Sequence, residues 1–258
     1  MTRRKRRFKK WRVLFVVIIA LALVVWGILY GIEWIQLRKA RFVKYKEFGI
    51  AIPEAYSIHG IDVSRYQEMI AWDAVKEMKV KNISIRFAFI KATEGIGNVD
   101  AQFHRNWKKA KQEGIIRGAY HFFIASKDGK SQAKNFIEEV KLEPGDLPPV
   151  LDIEQLNGVP AITLKKEVKE WLDAIELYYG VKPIIYTNVE FYRQYLGSEF
   201  DPYLLWAAHY YEYNQPRIKR GWSFWQHSDG GRVNGILSKV DFNVFNGDST
   251  TFMELLVD

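Results

Sequence analysis

The chain has 258 residues, 48% hydrophobic and 26% charged, which is ample material for a core and unlike a disordered composition. Its net charge of +8 belongs to one end: residues 1–12 (MTRRKRRFKKWR) hold eight basic side chains and no acid, leaving 30 basic against 30 acidic elsewhere, so the charge argues against a nucleic-acid-binding face. Cysteine is absent, which excludes disulfides, thiol catalysis and thiolate metal sites.

Residues 13–32, VLFVVIIALALVVWGILYGI, carry no charge over 20 positions. A helix rising ~1.5 Å per residue spans the ~30 Å hydrocarbon core at that length, and the run exceeds the ~7–15 apolar residues of a cleavable signal peptide. Trp11, Trp26, Tyr30 and Trp34 lie near its ends, where aromatic belts form. Eight basic residues precede it and five follow soon after, among them Arg38 and Lys39. That bias predicts a single-pass anchor, with its N-terminus in the cytoplasm and the large C-terminal part outside. Residues 33–56 read as a juxtamembrane linker, with Pro53 marking entry to a folded domain over 57–258.

In that domain short apolar runs bounded by Gly, Pro, Asn or Asp alternate with amphipathic ones. Eight predict strands: SIHGIDVS, ISIRFAFIKATEG, GIIRGAYHFF, LPPVLDIE, KPIIYTN, YLLWAAHY, WSFWQHS and KVDFNVF. The spacing predicts helices over 72–78, over 101–112 with Asp100 as N-cap, and over 132–140. A longer one starts near Thr163, with the stripe Leu164, Val168, Trp171, Leu172, Ile175 and Tyr178, and closes at Gly180; a short one covers 189–196. The later gaps, YEYNQPRIKRG and DGGRVNGILS, read as loops. Strands alternating with helices imply a parallel sheet, here an α/β fold: an irregular (β/α) barrel of TIM type with about eight strands and roughly five helices.

Such barrels do chemistry at the C-terminal ends of their strands. Those ends carry Asp62, Glu94, Tyr120, Asp152 with Glu154, Tyr186, Tyr210 and Gln226, while Asp241 stands nearer the start of the eighth run. Asp152 and Glu154 are i and i+2 on a strand and share one face. Two carboxylates with pKa values pushed apart are the tool of glycoside cleavage, one giving a proton and the other working as an anion. A short D-x-E alone is far more often a solvated strand end; here the preceding PPVL ties it to a buried strand, and the acids at the other strand ends favour the catalytic reading. The five histidines include no His-x-x-x-His pair, so no metal is expected, and without a Walker loop or a Rossmann fingerprint no organic cofactor is expected either.

In order, HGIDVSRYQ, FIKATEG, GAYHFF, PPVLDIE, PIIYTN, LLWAAHY, FWQHS and VDFNVF resemble the family 25 glycoside hydrolases, which are lysozymes or N-acetylmuramidases. The resemblance implies hydrolysis, with retention, of the β-1,4 bond from N-acetylmuramic acid to N-acetylglucosamine in peptidoglycan. It implies Glu154 as general acid/base, Asp152 as the group that steadies the substrate's own attacking 2-acetamido group, and Asp62 and Asp241 as further active-site acids. Glu94, Tyr120, Tyr186, Trp206, Tyr210 and Gln226 would contact the sugars. The expected partner is the glycan strand, with the membrane engaged through residues 13–32. A tethered peptidoglycan-binding scaffold with little turnover, and a glycosidase of another β-linked amino sugar such as chitin, are the alternatives that one sequence leaves open.

Overall fold

The computed structural model describes residues 15–31, 41–212 and 214–258, and the chain divides into two units, Met1–Arg41 and Phe42–Asp258. In the first, residues 15–31 form a helix (α1) whose apolar side chains, Phe15 to Tyr30, are exposed. Among the described residues no helix is long and apolar enough to cross a membrane. The basic tail, both ends of the expected span (Val13, Leu14 and Ile32) and residues 33–40 lie outside the described residues.

The second unit opens with an antiparallel hairpin, β1 (Phe42–Tyr45) and β2 (Ile50–Pro53). This part of the expected linker is therefore folded. Tyr45, Phe48 and Ile52 are buried in the main core, and Phe48 packs edge-on against Phe242 at 5.4 Å. The pattern escaped a sequence reading because Lys44, Lys46 and Glu47 break its apolar residues into short runs, which read as a charged segment.

The elements then follow as β3 (His59–Val63), α2 (Trp72–Glu77), β4 (Lys79–Val80), β5 (Ile83–Glu94), β6 (Asn98–Val99), α3 (Phe103–Gln112), β7 (Ile116–Phe122), α4 (Gly129–Glu139), β8 (Val150–Asp152) and α5 (Ala161–Tyr179). After these come β9 (Ile184–Asn188), α6 (Val189–Phe191), β10 (Leu204–Ala208), β11 (Phe224–Gly231), β12 (Val240–Phe245) and α7 (Ser249–Met253). All eight expected strands are present. They close a barrel in the order β3-β5-β7-β8-β9-β10-β11-β12, with β12 returning to β3. Six of the eight pairings are parallel; β12 runs antiparallel to both β11 and β3. The expectation of a parallel barrel fails at this strand because the link from β11 is too short to carry the chain back to the other end.

The helices differ in their caps. Asp100 does not cap α3; its carboxylate accepts the backbone N–H groups of Arg65 and Gln102, each at 2.9 Å, tying the turn after β3 to the helix start. In α5 the N-cap is Pro160 rather than Thr163, and Tyr178 is exposed while its neighbour Tyr179 turns in to donate to the Val140 carbonyl at 2.8 Å. Gly180 closes the helix in the left-handed region, φ 71°.

Two cores result. Outside the barrel wall, helices and hairpin pack on the outward side chains; inside, Ile58, Phe87, Phe89, Val150, Ile184, Trp206, Phe224 and Phe245 fill the interior. Phe252 of α7 plugs its lower end against Phe87, Phe224 and Phe245. The aromatic filling needs glycine opposite it: a Cβ at Gly60 would lie 2.4 Å from the Phe87 ring, and one at Gly118 2.6 Å from Phe89.

Two outcomes follow for denaturant unfolding. Gly60→Ala forces a methyl against a ring that Phe89, Phe224 and Phe252 hold in place, and lowers stability by about 1–3 kcal/mol. Phe48→Ala removes a fully buried ring and costs about 3–5 kcal/mol, where an unpacked linker would show no change.

Candidate active site

Period-two alternation along each strand stacks the interior side chains in layers. Beyond this aromatic and aliphatic filling, the same inward parity carries Asp62, Lys91, Tyr120, Asp152, Tyr186 and Gln226 toward the C-terminal ends of their strands, with Asp241 on β12. Asp241 reaches this level from the start of its strand because β12 is antiparallel, and it pairs directly with Asp62 across the ladder. Glu154 follows β8, two residues beyond Asp152, and opens with Tyr210 and Asn188 into a groove of about 550 Å³ that also involves Arg193 and His209. Asp62, Asp152, Glu154 and Asp241 lie close enough for their charges to act on one another.

A hydrogen-bonded layer supports the acids from below. Trp206, stacked on Phe89 at 4.2 Å, donates its indole N–H to Asn243 Oδ1 at 2.7 Å, and Asn243 Nδ2 donates to Asp62 Oδ2 at 2.7 Å. Gln226 Nε2 donates to the same oxygen at 2.8 Å and lies 3.4 Å from Asp241 Oδ2. The Tyr186 and Tyr210 hydroxyls donate to Gln226 Oε1 at 2.7 and 2.6 Å. Tyr186 also reaches Glu154, and its single proton serves one acceptor at a time.

Burial raises all four acids. Asp62 rises to about 6, with the amide donors of Asn243 and Gln226 opposing desolvation. Asp241 is pushed up to about 9 by burial and then by the Asp62 charge. Asp152 stands well above the usual carboxylate range through burial and the Glu154 charge, with the Lys91 ammonium opposing. Glu154 is raised by burial, against the Tyr186 hydrogen bond and Lys91. Asp152 Oδ1 is buried without a hydrogen-bond partner in the protein.

All four expected acids therefore meet at one mouth. Tyr120, Tyr186 and Tyr210 join them, and Glu94 stands at the end of β5, paired with Lys91 at 2.6 Å. Trp206 and Gln226, expected to line the groove, are 2% and 1% exposed and form its underlying support. Sequence reasoning missed Asn243 and Lys91. Both sit inside quoted motifs, VDFN and FIKATEG, at the inward parity of their strands, and that parity was the available signal. His59, His121 and His227 are buried; His121 bridges Thr93 at 2.7 Å and Gln132 at 3.2 Å on the outer side of β7. The described side chains near enough to share a metal ion are Asp128, the N-cap of α4, with Glu167 and Glu170 within α5; Lys166 pairs with both glutamates.

The model of the Glycosyl hydrolases family 25 matches residues 61–236, from β3 to just short of β12. The chain is 48% identical over 202 residues to the uncharacterized protein YegX of Escherichia coli (strain K12), covering 78% of this chain and 74% of that one. It is 34% identical over 216 residues to Lysozyme M1 of Streptomyces globisporus, covering 77% and 71%. The solved family 25 glycosyl hydrolase of Bacillus anthracis superposes with a TM-score of 0.74 at 30% identity, over 83% of this chain and all of that one. With well over half its length matched by that model, the chain belongs to the glycosyl hydrolases of family 25 and is a glycoside hydrolase.

Proposed function

We propose that the chain is a muramidase that cleaves the β-1,4 bond between N-acetylmuramic acid and N-acetylglucosamine in peptidoglycan, with retention and with help from the substrate's 2-acetamido group. The observation that carries this reading is the Asp152–Glu154 pair at the mouth, one member open to the groove and the other buried with an unpartnered oxygen. Glu154, held above its ordinary pKa, gives its proton to the leaving oxygen and later takes one from water. Asp152 accepts the acetamido N–H on Oδ1, so that the acetamido oxygen faces the anomeric carbon and the positive charge growing on the attacking group is balanced by an anion. Burial raises both carboxyls. An N–H donor on Asp152 favours its ionised form, and the Asp152 charge in turn favours the protonated form of Glu154. The lysozyme named among the relatives supports this substrate class.

We also read residues 13–32 as a membrane tether, with the N-terminus in the cytoplasm and the barrel outside, against the wall. The uncharged run of 20, the basic residues before it and the apolar surface of α1 support this.

Three outcomes are expected of the full-length protein. Glu154→Gln lowers reducing-end release from purified peptidoglycan by about 10²–10⁴-fold with unchanged melting; near wild-type release would overturn the acid assignment. Activity rises as pH climbs through about 6, where Asp62 ionises, and Glu154, held above its ordinary range by burial, keeps its proton to higher pH than an exposed glutamate does; a flat profile through pH 6 would contradict the Asp62 role. On fractionation the protein sediments with membranes and resists salt extraction, and deletion of residues 1–32 releases it; recovery of the intact chain in the soluble fraction would sink the tether.

A further inference from the structure

We propose that Asp241 works as a neutral carboxylic acid, a positioning residue that lends its proton to Asp62 and keeps that residue the single fixed anion on its side of the mouth. The inference rests on the muramidase reading of this site and adds to it a role for one of its acids that differs from charge.

The argument is one of donors and acceptors. An indole N–H can only donate, so the Trp206 contact fixes Asn243 with its oxygen toward the indole and its NH₂ toward Asp62. Gln226 is oriented in the same way. Its oxygen takes the two tyrosine hydroxyls, and the reversed amide would set that oxygen against the Asp62 carboxylate, acceptor on acceptor. Asp62 Oδ2 thus receives two N–H bonds of 2.7 and 2.8 Å, the arrangement that stabilises an ionised carboxylate in a buried site.

Asp241 has no comparable support. Its one amide contact, to Gln226, is 3.4 Å long. It stands opposite Asp62 in the β12–β3 ladder, and the one Gln226 NH₂ group touches both carboxyls, so the two side chains meet; two carboxyl groups can bond to each other only through a proton. With two donors already stabilising the Asp62 anion, that proton belongs to Asp241. The titratable groups facing Asp241 agree: Asp62 from β3, Asp229 from β11, Glu154 after β8, Tyr120 from β7 and Tyr210 after β10 are all acids or phenols. A second anion there would repel three carboxylates. Kept neutral, Asp241 orients Asp62 without adding to the charge that raises Glu154 and Asp152.

The test is carboxyl ¹³C NMR of the full-length protein labelled at aspartate, joined to turnover of peptidoglycan by D241N, D241A and D62N. The expected spectrum at neutral pH holds a protonated aspartic carboxyl that titrates near 9 and is lost in D241N or D241A. Asparagine keeps a neutral donor, so D241N stays within about tenfold of wild-type turnover while D62N falls about a hundredfold or more. D241A, with no donor, falls well below D241N. The folded protein keeps this proton longer than the unfolded chain does, so wild-type stability declines as pH rises from 3.8 toward about 9, and D241N declines less over that window. Finding no such protonated carboxyl in the wild type, or finding D241N as inactive as D62N with its melting temperature intact, overturns the proposal. If the wild type itself releases no reducing ends, the muramidase reading fails, and the titration decides the state of Asp241 on its own.

Discussion

The hydrogen bonding of β12 between β11 and β3, antiparallel to both, closes the barrel, and the rest of the structure depends on that closure. Without it β3 and β11 would present bare edges, and the aromatic interior would stand open to water. Closure also sets the register Asp241↔Asp62, which brings an acid from the beginning of the last strand level with acids from the ends of the others. In an all-parallel barrel Asp241 would lie at the opposite end, beside Phe252. The direction of one strand therefore decides whether a fourth carboxyl is part of the mouth.

A closed barrel has an outer face that must be covered. Between β3 and β10 helices do this, with α5 laying Leu164, Val168, Trp171, Leu172 and Ile175 into the core. Among the described residues no helix separates β10 from β11 or β11 from β12. The outward side chains of those strands, Trp225 and Phe242 among them, are instead met by Phe42 and Phe48 of the hairpin, with Tyr56 against Trp222 and Trp225. The Arg232 N–H donates to the Phe48 carbonyl at 2.9 Å and pins the turn to the end of β11. This hairpin lies outside the stretch matched by the family model, yet it covers a region of that stretch and of β12.

Electrostatics in the mouth follow from the same geometry. Four carboxyls at one rim cannot all ionise in a buried site, and each is raised by desolvation before any neighbour acts on it. Lys91 sits over the Phe122 ring at 4.7 Å, bonded to Glu94, and its charge opposes the rise of Asp152 and Glu154. The amide layer of Gln226 and Asn243 favours the ion on Asp62. Local donors and one cation thus sort acids of one chemistry into different protonation states, as acid–base chemistry on a glycosidic bond requires.

Much of this was legible in the chain. Strand runs bounded by turn residues gave all eight barrel strands, because burial on both faces demands continuous apolar stretches of strand length. The period of two put Asp152 and Glu154 on one face, and the inward parity could also have pointed to Lys91 and Asn243. Other features depend on partners far away in sequence. The hairpin at 42–53 has its apolar residues broken into short runs by Lys44, Lys46 and Glu47 and does not declare itself until Phe242 and Trp225 are seen beneath it, and Asp100 looks like a helix cap until the Arg65 backbone is found bonded to it. Trp206 and Gln226 read as groove residues, yet depth within a barrel layer is invisible in one dimension. Element type, the inward face and the identity of the acids come from short-range pattern, which the chain carries residue by residue. The direction of β12, the Asp62–Asp241 pair and the protonation each acid keeps arise only when strands distant in sequence are hydrogen-bonded side by side, because desolvation and charge coupling depend on distance in space.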